Sequence, residues 1–353
     1  MKIKKIIPLL LVFILTGCYD NKELNNIAIL TATEINKIDN QFIINVEVVN
    51  PQAPDKTTNV EAPFIIYTGT GKTIQEAYRQ IKLSSSRYLY PEHLQILIIN
   101  ENIAKNDITE ILDFYLRNPL VRTEFNILIG KNKDILSTTT PIDNISSSSI
   151  LDTMKTNQKY LGTTNLVTLN ELTIMSLNPN TEIILPSIKY KEKAKDSDTT
   201  KNTEDTKIDS KYELSGLAVF KDNKLKGYLT NEESISYNLI KNNIENSIIT
   251  YECEKNKYLT VEIITSKSTI KIKDNKIIIN LAISSTINES SCNINLNNYQ
   301  NIKKLEKDLS NYINNKLITD INNIRNKYNS DVFGFLYLYQ YLYFYNLDYT
   351  NYL

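Results

Sequence analysis

The sequence has little of the side-chain chemistry that most enzymes use. It contains one histidine, His93, and no tryptophan. A catalytic base must be positioned against a nucleophile or a proton donor, and no G-x-S-x-G turn accompanies this histidine. Zinc sites built on histidine use two or more at short spacing. Since His93 directly precedes the apolar segment 94–99, we predict a structural role for it, and for the chain no catalytic residue, no metal, no cofactor and no enzymatic activity.

Two other patterns with catalytic associations are equally weak. Glu232 and Glu233 are adjacent carboxylates, but they open a predicted helix, where the helix dipole favours acids. Gly69-Thr70-Gly71-Lys72 precedes a helix and lacks the G-x-x-x-x-G-K-[ST] spacing of a phosphate-binding loop. We therefore predict a tight turn at residues 69–72.

The sequence also lacks an apolar segment long enough to cross a bilayer, which takes about 20 residues. The apolar run Ile6 to Leu15 is half as long and follows a start rich in lysine. It ends in Leu15-Thr16-Gly17-Cys18, which resembles the lipobox of bacterial lipoproteins. We predict a cleaved signal peptide at residues 1–17. Lipid attached to Cys18 then holds the mature chain on the bilayer.

Neither sign of charge is in excess. The chain has 40 Lys and Arg residues against 40 Asp and Glu residues. Residues 1–17 contain three of the lysines and no acid, so the mature chain has 37 basic residues against 40 acidic ones, a formal charge of −3. Nucleic acids bind surfaces with an excess of positive charge. We therefore predict no nucleic-acid partner.

Cysteine is scarce, with three in the chain, so the fold does not depend on disulfides. Once Cys18 carries lipid, Cys253 and Cys292 remain, and export places both where oxidation is possible. Two interpretations stay open, a disulfide between Cys253 and Cys292 or two buried free thiols. Titration of free thiols on the non-reduced protein separates them.

A change in composition divides the chain. The segment from Lys189 to Lys211 has almost no apolar side chain, and we interpret residues 191–211 as a polar linker or loop. The residues before it predict an N-terminal α+β domain at 18–190, which two subdomains could form. The residues after it predict a C-terminal α+β domain at 212–353. The predicted fold class is α+β, with two or three mixed domains of mostly antiparallel sheets packed by helices.

Local patterns predict the elements of these domains. Capping boxes at Thr73-x-x-Glu76 and Thr230-x-x-Glu233 start two helices, and Asp107 with Glu110 repeats the device. The longest amphipathic helix is predicted at 299–328 and must pack on a sheet. Alternating or β-branched segments predict strands at 27–33, 42–49, 62–67, 94–99 and 125–129, and hairpins at 213–229 and 258–287.

The tail at 331–353 is rich in aromatic residues. From Phe333 to Tyr343 they recur at every second position, the period of a strand, although an aromatic helix packed on the preceding domain fits equally well. Tyrosine also suits a membrane interface. Packing in the core, contact with a partner protein and contact with the bilayer all stay open.

Seven short strings occur in order over about 320 residues. They are Gly17-Cys18-Tyr19-Asp20-x-x-Glu23-Leu24, Val48-Val49-Asn50-Pro51, Ser86-Arg87-x-Leu89, His93-Leu94-Gln95, Tyr115-Leu116-Arg117-Asn118-Pro119, Ser215-Gly216-Leu217-Ala218-Val219-Phe220 and Asp331-x-Phe333-Gly334-Phe335. Together they resemble the Ger(x)C family, the C subunits of spore germinant receptors. The chain departs from the family pattern at Tyr19, where Trp is usual, in the polar segment after Lys189, and in its tyrosine-rich tail.

The resemblance implies a lipoprotein on the outer face of the spore inner membrane. In the family this subunit assembles with an integral membrane A subunit and a transporter-like B subunit, in a complex that responds to nutrients, and it has no known catalytic role. We predict a non-enzymatic receptor subunit that docks on these partners. One alternative is a solute-binding lipoprotein that captures a small nutrient in an interdomain cleft. A cell-wall hydrolase is a second, supported only by abundant carboxylates.

Overall fold

The computed structural model describes residues 26–49, 64–131, 135–136, 145–178, 181–190, 212–274 and 276–340. Its strands are β1 (Ile27–Ile38), β2 (Gln41–Val49), β3 (Phe64–Gly71), β4 (Tyr88–Tyr90), β5 (Ile96–Asn100), β6 (Asn126–Lys131), β7 (Ile184–Tyr190), β8 (Tyr212–Lys221), β9 (Lys224–Tyr228), β10 (Ser247–Glu254), β11 (Lys257–Lys273) and β12 (Lys276–Ser290). Its helices are α1 (Ile74–Ile81), α2 (Glu101–Ala104), α3 (Thr109–Arg117), α4 (Ser146–Tyr160), α5 (Leu169–Leu177), α6 (Asn231–Lys241), α7 (Tyr299–Tyr328) and α8 (335–340), with a 3-10 turn at Pro91–His93.

The larger sheet has nine strands in the order β3-β2-β1-β5-β6-β7-β8-β9, and β4 pairs with the start of β1. Its centre, from β1 to β7, is parallel, and the strands on either side are antiparallel. Helices cover both faces, so β5 is apolar from Ile96 to Ile99 and β6 is apolar from Ile127 to Ile129. In β5, Leu97 and Ile99 enter one core and Ile96 and Ile98 enter the other.

The smaller sheet is antiparallel, in the order β10-β11-β12, and α7 packs against it. Leu305 of α7 joins a small core with Leu259 and Val261 of β11, and Ile324 joins a larger core with residues of α6. The predicted α+β class and the helix at 299–328 are confirmed. Antiparallel pairing predominates as predicted, whereas the parallel centre of the larger sheet was not predicted.

The two sides of the predicted linker meet in the larger sheet. Residues 191–211 lie outside the described residues, and Tyr190 before them pairs with Tyr212 after them. Strands β8 and β9 therefore complete a sheet that begins before the linker. The division of the chain at 191–211 stays a prediction.

The turn chemistry follows the sequence closely. The first predicted hairpin turns through Asp222 and Asn223, both with positive φ, and the second turns through Asp274, also with positive φ. The capping box between Thr230 and Glu233 forms as predicted. Short polar residues suit these positions because they tolerate left-handed backbone conformations better than branched residues do.

The predicted tight turn at 69–72 is wrong, because Gly69 and Gly71 end strand β3. Helix α1 follows after only two residues and folds back onto this strand. A Cβ atom on Gly69 would lie 2.1 Å from the carbonyl oxygen of Ala77, and one on Gly71 would lie 2.6 Å from its nitrogen. The glycines thus allow the helix backbone to approach the strand closely.

We expect Gly69→Ala to lower the free energy of unfolding by about 1–3 kcal/mol, since the new methyl group displaces the helix backbone. Urea denaturation measures the change. Thr70→Ala is the matched control, because Thr70 is exposed on the same strand and we expect a change within about 0.5 kcal/mol. Equal losses in the two variants would contradict the close-approach argument.

The described part of the tail is helical and partly buried. Phe333 and Phe335 are 1% and 6% exposed, and their ring centroids lie 5.2 Å apart. Phe333 also lies against Tyr237 of α6, at 5.8 Å between centroids. These two phenylalanines belong to the core, one of the three predicted alternatives, whereas Tyr337 and Tyr339 are exposed. Residues 341–353 lie outside the described residues.

Candidate functional site

An open groove of about 520 Å³ runs between α1, α3 and the segments 88–91 and 118–121. Leu30 of β1 lines it together with the aromatic residues Tyr78, Tyr88, Phe114 and Tyr115. Two of the strings that carry the family resemblance meet at this place, since Leu89 comes from one, and Tyr115 and residues 117–119 come from the other. Its size and mostly apolar lining suit a peptide segment or a small ligand.

Three hydroxyl groups form a chain beneath the groove. The Tyr78 hydroxyl lies 2.9 Å from Thr33 Oγ1 and 2.9 Å from the Tyr115 hydroxyl. Burial raises the pKa of both phenols, so both stay neutral at physiological pH. Phe114 stacks on Tyr78 at 5.6 Å and meets Tyr115 edge-on at 5.1 Å. The wall is thus rigid and uncharged, which suits binding rather than proton transfer.

The rim of the groove carries charges of both signs. The two acids are paired, Glu110 with Lys37 at 3.2 Å and Asp113 with Arg117 at 2.7 Å. Arg79 and Lys82 form no ion pair with another described residue. The rim therefore has an excess of positive charge on the side of α1.

The groove lies close to the start of the described chain. Ile27 at the beginning of β1 pairs with Tyr88, which lines the groove. The predicted lipid site Cys18 lies outside the described residues, eight positions before Asn26. Eight extended residues span at most about 29 Å. A lipid on Cys18 would thus hold Asn26, at the start of the described chain, within about that distance of a bilayer.

A second polar cluster lies where the parallel strands β5, β6 and β7 end. Lys131 Nζ lies 3.4 Å from the centroid of the Tyr228 ring and 3.4 Å from the carbonyl oxygen of Ser215. The Tyr228 hydroxyl donates to Glu101 at 3.2 Å, and its pKa is raised by burial. Burial, followed by repulsion from Lys189, lowers the pKa of Lys131 to about 8.

This pKa gives Lys131 an unusual pH dependence. Because its folded value of about 8 is below the ordinary 10.5, the unfolded chain binds more protons between these values. Lys131 therefore destabilises the fold fully below about pH 8, and this penalty disappears as the pH rises from 8 to 10.5.

We expect acylation of Lys131 by an amine reagent to increase with a midpoint near pH 8, because only the neutral amine reacts. Peptide mass spectrometry over a pH series measures the midpoint. Lys303 is the control, since its hydrogen bond and ion pair with Glu306 raise its pKa. A shared midpoint for Lys131 and Lys303 would refute the assignment.

The structure joins Cys253 and Cys292 in a disulfide, with 6.2 Å between their Cα atoms. The redox state of this pair in the natural protein stays a prediction. His93 ends the 3-10 turn and is exposed. Among the residues that the structure describes, no group of three potential metal ligands is present. No described helix is long and apolar enough to span a membrane.

The acids Glu232 and Glu233 have local roles. Glu233 closes the capping box with Thr230, and Glu232 accepts from Lys316 of α7 at 2.6 Å. The paired carboxylates therefore start α6 and connect it to α7. Sequence patterns had indicated the first role, but the second depends on a contact across 84 positions.

A cleft of about 520 Å³ lies between the end of β8, the end of α7 and the start of the tail. Glu182 lines it from the segment before β7 and Lys221 from the end of β8, and Arg325, Asp331 and Tyr339 line it from α7 and the tail. Its lining is more charged than that of the groove. This is the place that corresponds to the predicted interdomain cleft.

Two family models match the chain and together cover most of it. Residues 20–190 match the model described as spore germination protein N-terminal domain. Residues 215–348 match the model described as spore germination B3/GerAC like, C-terminal.

Individual relatives agree with this result. Spore germination protein KC of Bacillus subtilis is 29% identical over 267 residues, which are 71% of this chain and 65% of that protein. Spore germination protein B3 of the same species is 23% identical over 84% of this chain and 79% of its own length. The crystal structure of the GerBC protein has a TM-score of 0.51 and 16% identity, covers 85% of this chain, and shares its fold.

Proposed function

The chain belongs to the Ger(x)C family of spore germination proteins, and we propose that it is the lipoprotein subunit of a nutrient germinant receptor. Membership gives the chain a role in spore germination, and the family is not a known enzyme family. We propose further that the subunit catalyses no reaction. The uncharged groove wall and the structural roles of Glu232 and Glu233 support this.

Docking is the activity that the structure supports best. The proposed partners are the integral membrane A and B subunits, and the proposed surface is the groove between α1 and α3. One observation carries this proposal. The groove is a rigid, apolar surface built partly from the family's strings, and Asn26, just before the strand that contributes Leu30 to it, is at most about 29 Å from the predicted lipid site Cys18. A membrane-embedded partner would meet this face of the molecule first.

The proposed location follows from the anchor. Lipid on Cys18 places the protein on the outer face of the spore inner membrane, where the A and B subunits cross the bilayer. The groove is then close to the outer segments of the A and B subunits. A short tether raises the effective concentration of the groove at these segments, because both proteins are held at the same membrane.

A matched pair of leucine substitutions tests the docking surface. Leu120 lines the groove, whereas Leu116 is 48% exposed on α3 and does not line it. We expect Leu120→Asp to remove co-purification with the A and B subunits from spore membranes and to abolish nutrient germination. Leu116→Asp should retain both, and thermal melting should show that both variants fold.

Three results would overturn the proposal. Co-purification unaffected by Leu120→Asp would exclude the groove. Failure of the unmodified protein to co-purify with either subunit would exclude docking. Nutrient germination that survives deletion of this chain, while the partner subunits stay abundant, would exclude the receptor role.

The charged cleft beside the end of α7 favours a second candidate, capture of a small nutrient. Its charged lining, with Lys221 and Arg325 beside Glu182 and Asp331, suits a zwitterionic ligand such as an amino acid. Calorimetry with amino acids and sugars on the mature protein distinguishes the candidates. Micromolar binding that Arg325→Gln removes would support capture, and no heat of binding would leave docking alone.

A further inference from the structure

The turn that follows α1 presents an apolar tip between basic residues. Leu83 is 84% exposed, the largest exposure among the large hydrophobic side chains that the structure describes. Arg79 and Lys82 precede it, and Arg87 follows it four positions later. None of these three cations forms an ion pair with a described carboxylate. Single exposed leucines are common on protein surfaces, so its basic surroundings distinguish this one.

The turn is ordered rather than loose. The backbone nitrogens of Leu83 and Ser84 donate to the carbonyl oxygens of Gln80 and Ile81 at 3.0 Å each. The Ser85 hydroxyl donates to the carbonyl oxygen of Arg87 at 2.9 Å. These bonds hold the Leu83 side chain at the surface, away from the hydrophobic cores. Lys82 is kept beside it, with its Nζ 5.0 Å from the centroid of the Tyr88 ring.

The position of this turn points to its ligand. Tyr88 pairs with Ile27, where β1 begins, and the chain from Asn26 back to Cys18 is at most about 29 Å long. Anionic phospholipids attract basic side chains close to their headgroups, and an apolar side chain beside them enters the interface. The basic side chains and the short tether thus both indicate an anionic phospholipid membrane as the partner of this turn.

We propose that residues 79–88 form a second membrane contact, in which Leu83 enters the headgroup region and Arg79, Lys82 and Arg87 bind anionic phospholipid. This proposal rests on the lipid anchor at Cys18. The contact would orient the tethered chain, so that the adjacent groove opens along the membrane surface towards embedded partners.

A fluorescent probe tests the contact on the complete lipoprotein. Leu83→Cys adds a thiol to a mature chain whose other cysteines carry lipid or form the disulfide. The labelled protein is reconstituted on vesicles of phosphatidylcholine with or without phosphatidylglycerol. We expect the probe to move to a less polar environment, and to be quenched by spin-labelled lipid, only on the anionic vesicles.

Matched variants distinguish the effect of the three basic side chains from the effect of the position of the probe. Ile318 of α7 is 51% exposed, and a probe at Ile318→Cys should stay in water. Replacing Arg79, Lys82 and Arg87 by Gln should reduce partition of the Leu83→Cys probe on the order of 100-fold. Replacing Lys255, Lys304 and Lys307, which are exposed elsewhere, by Gln should have little effect.

Flotation of the same vesicles distinguishes the two proposals. If the protein fails to float, the anchor is wrong and this inference falls with it. If it floats while the probe at position 83 stays in water, the anchor stands and the contact is wrong. A probe buried only in spore membranes that contain the A and B subunits would make the turn a protein-binding surface instead, and equal signals at positions 83 and 318 would show nonspecific coating.

Discussion

Cys18→Ala should release the protein from the membrane or leave it as an uncleaved precursor. The predicted anchor would consist of two or three acyl chains, and each buried methylene would stabilise membrane binding by about 0.8 kcal/mol. One chain binds only marginally, so loss of the whole modification removes the attachment rather than weakening it. The mature body has a near-neutral charge balance and cannot replace the anchor by electrostatic attraction alone. Fractionation of membranes and mass spectrometry of the N-terminal peptide measure the result.

Cys253→Ala provides the matched control, since it removes a thiol of the same chain but leaves Cys18 in place. We expect this variant to stay on the membrane and to keep its lipid, with a loss only of the Cys253–Cys292 bridge. Full membrane retention of Cys18→Ala, together with an unmodified N-terminal peptide in the natural protein, would refute the assignment of the anchor.

Sequence patterns predicted those elements whose stability is local. The 30-residue helix α7 and the hairpins at Asp222 and Asp274 depend on periodicity and turn chemistry within a few positions. The parallel centre of the larger sheet was missed for a physical reason. Residues 96–99 are apolar at every position, which gives no alternation to indicate which strand lies beside them.

Helix α4 is a second element that local sequence patterns could not predict. It begins with the four serines 146–149. Serine favours caps and turns over helix interiors, so no local pattern predicted a helix there. Its first turn is stabilised from elsewhere in the chain, because the backbone nitrogen of Ser147 donates to Glu47 of β2, 100 positions away.

The candidate groove was predictable in parts only. Tyr78 and Tyr115 each follow a helix start that the sequence predicted, at Thr73-x-x-Glu76 and at Asp107 with Glu110. The chain of hydroxyls that joins them to Thr33 depends on how three elements pack. The role proposed for Leu83 could not be predicted from the sequence. It depends on the exposure of this side chain and on its position near the start of β1 and three basic residues, which only the structure shows.

Glu47→Ala should cause the largest loss of stability among the substitutions considered. Glu47 is fully buried, and its carboxylate accepts from the Thr31 hydroxyl at 2.7 Å and from the Ser147 backbone nitrogen at 3.2 Å. Removing it leaves two buried donors without this acceptor, at about 1–3 kcal/mol each, and opens a cavity. We expect the free energy of unfolding to fall by about 3–5 kcal/mol, measured by urea denaturation.

Glu76→Ala is the control for this prediction. Glu76 also accepts a backbone N–H beside a helix start, but it is exposed, and such a contact contributes about 1 kcal/mol. Equal losses in the two variants would show that burial of Glu47 does not determine its importance, and that α4 begins without help from β2.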